Sequence, residues 1–170
     1  MSFQEKNMQN GVVVEEKTRV ALDFTLEAYN ELVKLRTVCN QPSNAEIIRH
    51  SLRLLAWVTE ERANGKKILV DDHGTIKLVV IASLFDGMQN NEVEGEKKRV
   101  VLDFTNEAYD FLFLLRTECR QPNNGATIRQ ALRLLKWVME QETHGNKLLI
   151  QTGEEMKEVA IQSLFANLVG

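Results

Sequence analysis

Little in this chain points to chemistry at a metal, a disulfide or a bilayer. Of 170 residues only two are cysteine, two are proline and 6% are aromatic, so no dense disulfide or aromatic framework organises it. Cys39 and Cys119 show no CxxC spacing, and they read as small core residues in a reducing compartment rather than as ligands or a disulfide. No apolar run approaches the ~20 residues that cross a bilayer. The start, Met1-Ser2-Phe3-Gln4-Glu5-Lys6-Asn7, lacks a signal-peptide apolar segment. The expectation is a cytoplasmic protein without a membrane partner. His50, His73 and His144 share no ligand spacing with the cysteines. No nucleophile has a partner base and no glycine-rich phosphate loop is present, so neither an enzyme nor a cofactor is expected. Positive charge is also short: 21 Lys and Arg stand against 24 Asp and Glu, for a net charge of −3. Nucleic-acid binding would therefore need a local basic patch.

What the chain does have is an internal repeat. Residues 19–85 realign on residues 99–165 at a constant offset of 80, without a gap, with 35 of 67 positions identical. A gapless match keeps even the loop lengths, so the repeat is the unit that must fold. Two copies are too few for a solenoid and point to an internal pseudo-twofold. The first copy carries a formal charge of +1 and the second −1.

Each copy opens on alternation. Val20, Leu22 and Phe24 fall on one side of a strand, with Arg19, Ala21 and Asp23 on the other. The second copy places Val100, Leu102 and Phe104 against Arg99, Val101 and Asp103. Thr25 and Thr105 are N-caps for a first helix that ends near Cys39, ahead of Pro42, or at the matching point ahead of Pro122. Ser43 with Glu46 forms a capping box for a second helix, and Asn123 caps its counterpart. That second helix is strongly apolar, from Ile47 to Val58 and from Ile128 to Val138, with Trp57 and Trp137 expected in the core. Gly65 and Gly145 mark its end. A tail follows in each copy, read as strand, turn, strand: Lys67–Val70 then Ile76–Ile81, and Lys147–Ile150 then Met156–Ile161. Ser83-Leu84-Phe85 and Ser163-Leu164-Phe165 close the copies as short apolar anchors.

The order strand, helix, Pro-containing turn and long apolar helix resembles the ribbon-helix-helix superfamily of MetJ, Arc and CopG. The resemblance covers residues 17–64 and 97–144. It is carried by Val20-x-Leu22-Asp23-x-Thr25 leading into a helix and by Glu46-Ile47-Ile48-Arg49-x-x-Leu52-Arg53-Leu54-Leu55. Gln41 and Gln121 depart from it, standing where a glycine often precedes the second helix. The resemblance implies a mainly α fold with short β: two ribbon-helix-helix repeats forming an intrachain pseudo-dimer, each followed by extra short strands. Residues 1–16 are then a flexible N-terminal segment, 17–85 and 97–165 the repeats with their strand tails, and 86–96 a linker. At about 3.3 Å per residue such a linker can reach over ~30 Å, enough to return the chain to the ribbon. A single unit of one strand and two helices is too small to bury its own helices, which explains the duplication.

In that family the ribbon enters the DNA major groove and outward strand residues read base edges. By position this assigns Lys17, Arg19, Ala21 and Asp23 with Lys97, Arg99, Val101 and Asp103. The same ribbon, centred on Ala21 opposite Val101, would set Arg19 against Asp103 and Asp23 against Arg99 as cross-strand ion pairs. The family also holds a DNA phosphate at the N-terminus of the second helix, here Ser43 and Asn44, or Asn123 and Asn124. Small polar residues there also serve as ordinary caps. Arg49, Arg53, Arg129 and Arg133 are expected to pair with Glu27, Glu31 or Glu107 of the first helices. The expected function is a DNA-binding regulator of transcription at a quasi-palindromic site on double-stranded DNA. The alternative is a protein-interaction module that keeps the scaffold without reading DNA, using a protein partner or self-association through the strand tails. Phe111, Phe113 and Leu114 would then mark an asymmetric contact surface.

Overall fold

A computed structural model of the chain describes residues 16–80 and 96–160, together with the backbone of two short strands before them. Those two, β1 (Asn7–Gln9) and β2 (Val12–Val14), pair antiparallel. The first repeat then runs through β3 (Lys17–Thr25), α1 (Leu26–Val38), α2 (Asn44–Ala63), β4 (Lys67–Asp72) and β5 (Thr75–Leu78). The second runs through β6 (Lys97–Thr105), α3 (Asn106–Glu118), α4 (Asn124–Thr143), β7 (Lys147–Thr152) and β8 (Glu155–Val159). The expected linker lies, except for Glu96, outside the described residues, as do the Ser83–Phe85 and Ser163–Phe165 anchors.

Local chemistry sets the boundaries. Thr25 and Thr105 hydroxyls accept from the Ala28 and Ala108 amides, and Ser43 and Asn123 accept from those of Glu46 and Ala126. Each side chain satisfies an amide that the first helical turn leaves unpaired. Gly65 and Gly145 follow the long helices at φ of 79° and 73°, left-handed values that suit a residue without Cβ.

β3 and β6 pair antiparallel as a two-stranded ribbon with Ala21 opposite Val101. Each tail forms the expected strand, turn, strand hairpin, β4 with β5 and β7 with β8, and the two hairpins then join. β4 pairs with β7 across the repeats, giving a second sheet in the order β5-β4-β7-β8 with Leu69 opposite Leu149. Both central pairs match a residue with its own repeat equivalent, so one local twofold axis passes through both sheets. α2 and α4 pack together between them. At 20 residues each, about 30 Å, these helices hold the ribbon at their N-terminal end and the four-stranded sheet at the other.

This corrects the expected fold class. The fold is mixed α/β rather than mainly α with short β: about 51% of the described residues are helical and 30% are strand, in two antiparallel sheets joined by four helices, apart from the β1–β2 hairpin. The reasons are physical. A lone hairpin is marginal in water, so the tails gain by joining across the axis. The ribbon strands also run to nine residues each, beginning at Lys17 and Lys97.

One apolar cluster serves both repeats. From the ribbon it takes Leu22, Phe24, Val100, Leu102 and Phe104; from the long helices it takes Ile48, Leu54 and Leu55 with Ile128, Leu134 and Leu135. Ile68, Val70 and Leu148 close it from the second sheet. Trp57, Trp137, Cys39 and Cys119 are half-buried at its margin. Burial pushes the Cys39 thiol up to about 11, away from reactive thiolate character.

Candidate nucleic-acid interface

Alternation along β3 and β6 buries one ribbon face and leaves the other in solvent. Arg19, Ala21, Asp23, Arg99, Val101 and Asp103 are all exposed, as are Lys17, Lys97 and Lys98 at the strand ends. On the solvent face Lys17, Arg19, Lys97 and Arg99 set four cations against two carboxylates, a basic patch on a chain of net charge −3, while Lys98, opposite Phe24, stands at the strand end on the other face.

The predicted register is the observed one. Arg19 Nε donates to Asp103 Oδ1 at 3.0 Å, and Arg99 Nε donates to Asp23 Oδ1 at 3.0 Å. The hydrogen bond from Arg99, aided by the charges of Arg99, Lys97 and Arg129, holds the Asp23 carboxyl below its ordinary range. Arg19 does the same for Asp103, aided by Lys17 and Arg49. Both carboxylates are exposed, so salt screens these pairs.

Two further arginines brace the ribbon from below. Arg49 Nη2 donates to the Asp103 carbonyl at 2.8 Å, and Arg129 Nη2 donates to the Asp23 carbonyl at 3.2 Å. The expected pairing of these residues with first-helix glutamates is not what forms. Arg49 pairs with Glu46 on its own helix at 2.8 Å, while Glu31 is taken by Lys34 and Lys136. Distance decides this, since Glu46 is one helical turn from Arg49.

At the N-termini of the long helices, Ser43 and Asn123 are occupied as caps. Asn44 and Asn124 accept instead from Arg36 Nη1 at 2.8 Å and Arg116 Nη1 at 3.1 Å. Each proposed phosphate position therefore carries a guanidinium that sequence reasoning missed. The signal was present: Arg and Asn eight residues apart are identical in both copies. In the second repeat these groups border a groove of about 980 Å³ running from Asp23 and Lys97 past Gly125 to Arg129 and Arg133. At Gly125 a Cβ would come within 3.1 Å of Arg129 and 3.2 Å of Leu22, and the first copy has Ala45 there. Arg133 is held below its ordinary pKa by partial burial and by the like charge of Arg129.

Elsewhere, Ile76, Leu78 and Met156 lie on the face of the four-stranded sheet turned away from the helices, and all three are exposed. Phe111, Phe113 and Leu114 are exposed along α3. Among the described residues no helix is long and apolar enough to cross a membrane. Comparison with protein-family models, with curated proteins and with solved structures finds no match for this chain.

Proposed function

We propose that the chain is a tandem ribbon-helix-helix protein that binds double-stranded DNA and regulates transcription, laying the β3–β6 ribbon in the major groove of a quasi-palindromic site. The observation that carries this reading is the solvent-facing side of the ribbon: nothing among the described residues covers it, and it concentrates cations on an acidic chain. A two-stranded ribbon fits a major groove about 12 Å wide. Lys17, Lys97 and Lys98 at the strand ends, with Arg36 and Arg116 at the helix N-termini, are placed for phosphates on either side. The pseudo-twofold suits an inverted repeat, and the difference between Ala21 and Val101 suits an imperfect one. Titrating a mixed-sequence duplex into the protein at several salt concentrations tests this. Affinity should fall steeply with salt, with a log–log slope of roughly −3 to −5 for that many phosphate contacts. Absence of binding at low salt would refute it.

The alternative, a protein-interaction module without DNA reading, is favoured by one observation. The outer face of the four-stranded sheet carries exposed Ile76, Leu78 and Met156, and β5 and β8 are its edge strands among the described residues. Self-association through that face would appear as a mass above 19.4 kDa that Ile76→Lys returns to the monomer value.

A further inference from the structure

The ribbon does not offer DNA two isolated arginines. It offers two units, each a guanidinium beside a carboxylate: Arg19 with Asp103 and Arg99 with Asp23, both bonded through Nε at 3.0 Å. Arg99 Nη2 also reaches Asp23 Oδ2 at 3.5 Å. All four side chains stay exposed, so guanidinium N–H groups and carboxylate lone pairs remain open to solvent, and the backbone of each aspartate is fixed from below by Arg49 or Arg129.

Across the major groove a G·C pair presents two acceptors, guanine N7 and O6, followed by one donor, cytosine N4. Donors beside an acceptor are the complement of that edge. An A·T pair alternates acceptor, donor, acceptor and then a methyl group, so the same unit would set donor against donor or acceptor against acceptor. Ala21 and Val101, between the two units, have no polar side-chain atoms and match a thymine methyl.

We infer that each Arg–Asp unit reads one G·C pair as a whole. The preferred site then has two inverted G·C pairs flanking an A·T-rich centre, with guanine on opposite strands. This rests on the DNA reading above and deepens it. Residues 19 and 23 are four apart, about 13 Å along a strand, which is roughly four base-pair steps of 3.4 Å. The carboxylates thereby become base readers rather than neutralisers of the arginines.

The test uses the full chain and selection from a random duplex pool at fixed salt. Enriched sequences should share two inverted G·C pairs about four steps apart. Exchanging guanine and cytosine at one of them, or replacing it by A·T, should weaken binding roughly 5- to 150-fold, the range of one good base contact. Asp103→Asn should relax the preference at one flank and leave the other intact. Enrichment of sites without the inverted pairs would overturn the inference while leaving the DNA reading in place. So would an Asp103→Asn variant that binds every sequence more tightly with flank preferences unchanged. Binding to no duplex at all would overturn both.

Discussion

Arg49 on α2 of the first repeat donates a 2.8 Å bond to the backbone carbonyl of Asp103 on β6 of the second. The bond ties a long helix to the ribbon strand of the opposite repeat, and Arg129 repeats it with Asp23. Arg49→Met keeps most of the apolar stem and removes the bond. It should cost about 1 kcal/mol, since the guanidinium is partly exposed, and broaden the amide resonances of residues 101–105. Urea unfolding and backbone NMR read these two effects.

The shared core predicts a single unfolding step. Leu54 is fully buried in a cluster drawn from both repeats. Leu54→Ala should lower stability by about 2–5 kcal/mol and destabilise both repeats together, giving one calorimetric transition at lower temperature. Two resolved transitions would show that the repeats fold independently.

His50 makes stability depend on pH. It is buried in α2, and burial, followed by the charge of Arg53, lowers its pKa while Glu46 opposes the shift. The folded value therefore lies below the unfolded value of about 6.5. As pH falls below that figure the unfolded chain takes up the proton first. The His50 contribution is thus complete above about 6.5 and is lost as pH falls toward the folded pKa. His50→Gln, which copies Gln130 of the second repeat, should flatten this acid limb. Urea midpoints compared at pH 7.5 and pH 5 provide the check.

On the ribbon, arginines and lysines should separate. Arg19→Ala with Arg99→Ala should abolish discrimination between duplex sequences, at about 1–3 kcal/mol per lost base contact. Lys17→Ala with Lys97→Ala should weaken all sequences alike and reduce the salt slope. Competition binding with matched and mismatched duplexes distinguishes the two.

The ribbon was legible in the sequence because its pairing is symmetric. Alternation named the buried residues, the offset of 80 named the partner strand, and the centre at Ala21 and Val101 fixed which charges meet. The helix starts were legible because Thr25, Thr105, Ser43 and Asn123 carry cap chemistry in their own side chains. The fold class was not. Residues 67–70 and 147–150 showed strand character, but no local signal says that a strand's partner lies in the other repeat. The braces were hidden for a related reason. Arg49 and Arg129 bond to carbonyls, and a backbone acceptor leaves no mark in the identity of the residue that bears it.

The most direct test of the ribbon as a DNA-binding surface is the affinity of the Asp23→Asn, Asp103→Asn double variant for mixed-sequence duplex at low salt. The change keeps side-chain size and removes both negative charges from the face. A ribbon seated in the major groove should gain non-specific affinity and show a steeper dependence on salt, because Arg19 and Arg99 are freed toward phosphates. If the double variant folds as the parent does and still binds no duplex, the DNA assignment is contradicted.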